Sequence, residues 1–214
     1  MPITRRGFLA ATGLTAAGLM AGCGRGAPDH ISVVEWAELR ASVRGALLRP
    51  GEPGYQDVAG PRNMRFGATV PEAVVQCNNA DDVAAALRWA RKTGTHFAIR
   101  GGGNNYANAS TSHGLVISTR RMNGARIKGS TLTVGGGTLN SDLARLLPQD
   151  GKGELLLPTG NCRTLGVVGQ TLGGGIGPNT PWAGLTADCL RKATVVTADG
   201  IVVTASATEN PELL

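Results

Sequence analysis

Glycine constrains this chain more than any other residue. It clusters at positions 101–103, 135–137 and 173–177, and every cluster lies beside apolar residues. The 32 glycines among 214 residues are about twice the average usage. A flexible linker would scatter them among serines. Clusters flanked by apolar residues mark turns and close approaches, where a Cβ has no room. The first cluster sits in I-R-G-G-G-N-N-Y, directly after a short apolar stretch. A strand running into such a turn is a common way to offer backbone N–H groups to a phosphate. The familiar nucleotide patterns nevertheless fail. G-x-G-x-x-G needs glycine where Tyr106 and Pro178 stand, and no G-K-[ST] occurs. On these residues alone, ligand-free turns and a cofactor site are equally good readings.

The segments between the clusters predict interspersed helices and strands. A helix is expected over 33–48, followed by a loop through R-P-G-E-P-G-Y. Residues 73–77 read as a buried strand. N-N-A-D-D then offers an asparagine N-cap, and Asp81 and Asp82 suit the positive end of the next helix. Val83, Leu87 and Ala90 fall on one face of that helix, and Thr93-Gly94 ends it. T-H-F-A-I-R completes a β-α-β unit that delivers the chain into Gly101. Strands at 114–118 and 131–134 and a helix at 139–147 follow. A hairpin over 193–205 would turn on two residues, Asp199-Gly200. Strands and helices do not alternate strictly, so the fold class is α+β, in two small lobes. Residues 1–30 form a leader and linker, 31–70 an N-terminal helix and loop, and 71–214 the main domain.

Charge and composition exclude some functions. Aromatics are 4% of the chain, too few for a single-stranded nucleic-acid stacking surface. The net charge of +6 includes Arg5 and Arg6, and the other cations are scattered, as on a solvated surface. Nucleic acid is therefore not an expected partner, and no metal-ligand pattern stands out. M-P-I-T-R-R-G-F-L resembles a twin-arginine export signal, which carries folded proteins across a membrane. Its apolar stretch, 7–22, is too short and too rich in Ala and Gly for a permanent span. M-A-G-C resembles a lipoprotein cleavage box with Cys23 as the lipidated residue, so an exported protein is expected, anchored by lipid if Cys23 is processed.

A second segment changes the balance at the glycines: L-P-T-G-N-C-R-T-L-G-V-V-G-Q-T-L-G-G-G-I-G-P. Taken with the first, it resembles the FAD-binding, p-cresol methylhydroxylase-type domain of the vanillyl-alcohol oxidase superfamily, in its berberine-bridge-enzyme-like or sugar-oxidase branch. That branch carries R-[SG]-G-G-H, G-x-C-P-x-V-G-x-x-G, L-G-G-G-x-G, G-L-x-x-D-x-L, V-V-T-A-D-G and E-N-P-x-L. Counterparts run in the same order at 100–104, 160–169, 172–177, 184–190, 195–200 and 209–213. The resemblance implies a two-lobed fold and FAD as cofactor. It places Arg100, Gly101, Gly102, Gly103, Asn104 and Asn105 around the pyrophosphate. Gly160, Cys162, Gly166, Gly169, Leu172, Gly173, Gly174 and Gly177 would run along the flavin, and Val196 is a further implied contact.

Family members often attach FAD through a histidine at the flavin 8α carbon and a cysteine at ring position 6. Asn104 stands at the histidine position and its amide is no nucleophile, so no histidyl link is expected; His113 could serve only if the loop were rearranged. Cys162 matches the cysteine, which implies one thioether, although Arg163 replaces the family's proline. The bland alternative is a buried, inert thiol. Cys77 and Cys189 lack any pattern that decides whether they pair. Gly160 is small at a position that lines the flavin face in the family, which fits oxygen access and an oxidase. Hydride would pass from an alcohol or sugar carbon to FAD, and electrons to oxygen. The family's base comes from a substrate domain, often as tyrosine. Tyr55 and Tyr106 match no catalytic motif, so the catalytic residues are unknown. The expectation is the FAD-binding part of an exported oxidoreductase that needs a substrate domain; the alternative is a truncated, non-catalytic flavin-binding lipoprotein.

Overall fold

Apolar runs at 73–76 and 115–118 become central strands of a four-stranded sheet. The computed structural model describes residues 31–147 and 155–214. Helix α1 (Val33–Ser42) leads into β1 (Ala46–Leu48), then α2 (Tyr55–Ala59), β2 (Ala73–Gln76), α3 (Ala80–Thr93), β3 (Phe97–Arg100) and β4 (Leu115–Ser118). The sheet order is β1-β2-β4-β3. β1 runs antiparallel to β2, and β2 and β3 both run parallel to β4. The β-α-β unit is thus split, with β4 inserted between its two strands. All of β4 is buried, as continuous Leu-Val-Ile suits a strand covered on both faces.

Helix α3 covers one face of the sheet. The Asn79 side chain caps it by accepting the Asp82 N–H at 2.9 Å, and Gly94, at φ +68°, ends it in a left-handed turn. Val83, Leu87 and Ala90 are buried, as their spacing predicted, together with Trp89. Trp36 of α1 meets Trp89 with ring centroids 4.9 Å apart, and the Trp89 indole donates to the Glu35 carbonyl at 2.9 Å.

The first expected helix is shorter than its sequence suggested: it stops at Ser42, and Ala46–Leu48 pair with β2. Asp82 is the reason. Its buried carboxylate accepts the N–H groups of Arg44 at 2.8 Å, Gly45 at 3.0 Å and Asn78 at 2.8 Å. These bonds replace the helical partners that residues 44 and 45 would need, and turn the chain into the sheet.

Two hairpins follow: β5 (Ala125–Lys128) with β6 (Thr131–Val134), and β7 (Lys192–Val196) with β8 (Val202–Ser206). The expected two-residue Asp199-Gly200 turn is overturned. The Thr197 N–H donates to the Ile201 carbonyl and the Gly200 N–H to the Thr197 carbonyl, both at 2.9 Å, so Ala198, Asp199 and Gly200 form the loop. Gly200 takes φ +73°, the left-handed residue of a longer hairpin connection. Arg88 grips this loop through the Gly200 carbonyl at 2.6 Å, and Arg91 through Asp199 at 2.6 Å. Helices α4 (Asn140–Leu146), α5 (Val167–Leu172) and α6 (Thr180–Ala183) complete the mixed α+β fold.

The candidate export signal and Cys23 lie outside the described residues. No helix among the described residues is long and apolar enough to cross a membrane. Cys77 is buried and free and Cys189 is exposed and free, so these two do not pair.

Candidate functional site

The chain leaves β3 through Arg100, and this side chain turns back into the protein. Nε donates to the Ser110 carbonyl at 2.7 Å, and Nη1 to the carbonyls of Val58, Ala59 and Gly60 at 2.8, 3.0 and 3.2 Å. These last three are the C-terminal carbonyls of α2, so Arg100 caps that helix. Nη2 is buried without a partner among the described residues. The arginine that precedes the glycine loop is therefore turned away from it, tying β3 to α2 and to Ser110.

Past Arg100 the first glycine cluster meets the second, and also meets Gly166 of the later motif segment. A Cβ on Gly101 would lie 3.2 Å from the Gly136 carbonyl oxygen, in the second cluster. A Cβ on Gly102 would lie 2.4 Å from the Gly166 nitrogen, and one on Gly166 2.7 Å from the Gly102 nitrogen. Gly103, buried at φ +74°, reverses the chain. Two of the three opening glycines are thus explained first by neighbouring backbone. The backbone N–H groups from Gly101 through Asn105 donate to no other described residue. Unpaired backbone donors beside a left-handed glycine are the ingredients from which anion-binding loops are made. Asn105 stiffens the far side, its Oδ1 accepting the N–H groups of Ala107 at 2.8 Å and Ala109 at 2.9 Å.

The second segment approaches from the opposite side. The Asn104 amide donates to the Gly102 carbonyl at 3.2 Å and to the Thr164 carbonyl at 2.6 Å, joining both loops. Cys162 lies two residues before Thr164 and its thiol is exposed, not buried, with Sγ 3.5 Å from the Thr164 hydroxyl. That hydroxyl and the Thr164 N–H hold the thiol below its ordinary pKa, and the Arg62 guanidinium adds to the effect. Arg62 also donates Nε to the Gly102 carbonyl at 3.0 Å. The thiol is thus exposed, where the bland reading expected it buried.

Side chains that carried no signal in the sequence hold the Cys162 loop. Asn140, at the start of α4, donates to the carbonyls of Gly160 and Cys162 at 2.5 and 3.1 Å. Gln170 of α5 accepts the Gly160 N–H at 3.1 Å and donates to the Thr159 and Thr186 hydroxyls at 2.8 and 3.2 Å. Gly160 is small for packing as well: its Cβ would lie 2.9 Å from both Gln170 and Leu165. Gly177 packs the same way, a Cβ there falling 2.0 Å from the Thr159 carbonyl. Gly174 takes φ +90°. Gly169 and Gly173 line no tight contact, with only the Gln170 carbonyl 3.5 Å from a Gly173 Cβ. Leu172 is 82% exposed, and Ile176 and Trp182 are nearly as open. Val196 stands apart from these loops in role: it ends β7 and packs against the main core.

Comparison with known proteins places this geometry. A family model described as "FAD binding domain" matches residues 71–206. (R)-6-hydroxynicotine oxidase of Paenarthrobacter nicotinovorans is 34% identical over 177 residues, which are 80% of this chain and 37% of that protein. Glucooligosaccharide oxidase of Sarocladium strictum is 34% identical, over 85% of this chain and 38% of the relative. Among solved structures, glucooligosaccharide oxidase from Acremonium strictum superposes with a TM-score of 0.73 at 29% identity, over 84% of this chain and 38% of that one. Its FAD is described as 6-S-cysteinyl and 8α-N1-histidyl. The chain thus spans well under half the length of the relatives it matches.

Proposed function

Because this chain belongs to the FAD binding domain family, on the sugar-oxidase side of the vanillyl-alcohol oxidase superfamily, we propose that it is the FAD-holding portion of an exported flavin oxidase. One observation carries the reading: a row of N–H groups at Gly101–Asn105, with no partner among the described residues, is joined through Asn104 to the loop bearing the exposed Cys162. The residues present fit the cofactor. The N–H groups of Gly101–Asn105 would hold the pyrophosphate, and Arg62, fixed on the Gly102 carbonyl, would add positive charge to that loop.

Bound FAD supplies the acceptor for a hydride and a route for two electrons to dioxygen. Cys162 presents its thiolate for a single thioether at the ring. Such a thioether would join Cys162 Sγ to the ring with loss of the thiol proton and a ring hydrogen, the two electrons going to dioxygen. Asn104 offers no nucleophile, so attachment is single. The substrate is an alcohol or sugar whose oxidised carbon gives up the hydride. The base that takes its hydroxyl proton comes from the portion of the relatives' length that this chain does not span. Leu172, Ile176 and Trp182 supply apolar surface for that portion to cover. The twin-arginine sequence suits export of a folded, cofactor-loaded protein, with Cys23 as a lipid anchor.

The test is protein purified from flavin-supplied cells, denatured, digested and analysed by mass spectrometry. Flavin on the peptide containing Cys162 is the expected result. Flavin released entirely on denaturation removes the thioether, and protein without flavin removes the cofactor-holding role.

A further inference from the structure

The three carbonyls after Cys162 do not all face the same way. Those of Arg163 and Leu165 accept the Ser141 and Asn140 N–H groups of α4 at 2.9 and 3.0 Å. The Thr164 carbonyl between them is held by Asn104, at 2.6 Å, from the glycine-loop side. No other described residue donates to it. We propose that Asn104 is a positioning residue for Cys162, its amide stapling the Thr164 turn to the Gly102 carbonyl so that the turn's donors face the sulfur. The proposal deepens the cofactor reading, since the thiol it positions is the one assigned to flavin.

The chemistry follows from the hydrogen bonds. An asparagine amide has two N–H donors, and here both targets are carbonyls on separate loops, 3.2 Å to Gly102 and 2.6 Å to Thr164. With the turn fixed, the Thr164 hydroxyl and N–H and the Leu165 N–H all stay towards the sulfur and favour the thiolate. Released, the turn keeps its two α4 bonds, one of which holds the peptide bearing the Thr164 N–H, but the peptide of the Thr164 carbonyl can rotate, and its Leu165 N–H leaves the sulfur. The charged group facing the thiol is Arg62, which is fixed on the glycine loop and not on Asn104. Its contribution therefore persists in an Asn104 variant.

The test uses flavin-free full-length protein and reads iodoacetamide alkylation of each cysteine against pH by peptide mass spectrometry. Cys77, buried in the core, reports folding, and exposed Cys189 reports reagent access. In Asn104→Ala the Cys162 profile should move to higher pH, and alkylation at neutral pH should slow about fivefold, the value of one ordinary hydrogen bond. Cys189 should not change and Cys77 should stay unreactive. Asn104→Leu, which keeps the volume and removes both donors, should behave alike. An unchanged Cys162 profile in either folded variant overturns the proposal. Reactive Cys77 in both variants also overturns it, because Asn104 would then hold the fold and not the Cys162 turn. Flavin content, measured separately on the parent protein, decides the cofactor reading without touching this result.

Discussion

Gly102 and Gly166 touch backbone to backbone, each leaving no space for a Cβ on the other. This contact brings a loop at the end of β3 against the N-terminus of α5, across 64 residues of sequence. It is the point where the two glycine-rich segments meet.

Replacing Gly102 should separate them. A Cβ 2.4 Å from the Gly166 nitrogen meets rigid backbone, so Gly102→Ala should cost about 2 kcal/mol or more. Gly169→Ala is the contrast. Its Cβ meets nothing within 4 Å inside α5, so the alanine should stabilise the flavin-free protein by about 0.5 kcal/mol. Urea unfolding of both variants checks the two signs.

Asp82 holds three backbone donors, and the sequence marked it only as a helix-start acid. Asp82→Ala leaves the N–H groups of Arg44, Gly45 and Asn78 without their acceptor. The cost should be about 2–4 kcal/mol, with hydrogen exchange at Arg44 and Gly45 accelerated most.

Cys77 gives a pH dependence of known sign. Burial, and then the Asp82 carboxylate, push its thiol from 9.0 up to about 12. The folded state therefore keeps a proton that the unfolded chain loses. This contribution is complete below pH 9.0 and falls as pH rises towards 12, by up to about 1.4 kcal/mol per unit. Cys77→Ala should cost about 1 kcal/mol at pH 7 and distinctly less at pH 10. Urea unfolding of both proteins at the two pH values isolates this group from other titrations; equal differences at both would contradict it.

Arg100 should matter to stability before it matters to cofactor. Arg100→Ala removes the cap on α2, leaves the carbonyls of Val58, Ala59 and Gly60 unpaired, and should cost about 3 kcal/mol. Exchange should quicken across Tyr55–Ala59, and Arg100→Lys should recover part of the loss.

Local signals in the sequence were legible where the physics is local. The Asn cap, the apolar face of α3 and the Gly94 stop need only neighbours a turn away, and all stand as read. The six motif blocks gave the family for the same reason, since each is short. What stayed hidden depends on distant partners. Nothing near residues 43–45 says that Asp82 will end α1 early. Nothing in Gly-Gly-Gly says that Gly102 faces Gly166 rather than a ligand, because both uses ask for the same missing side chain. Asn140, Gln170 and Thr186 were missed because polar residues carry no periodic signal. The hairpin turn was misread because D-G suits both a two-residue turn and the left-handed end of a longer loop.

The central claim is that one cradle, formed by both glycine segments, holds FAD. Hydrogen exchange with and without added FAD tests it most directly. The account predicts slowed exchange at the amides of Gly101–Asn105, which have no partner among the described residues, and in the Gly160–Gly166 loop. FAD binding with both segments unprotected would contradict it.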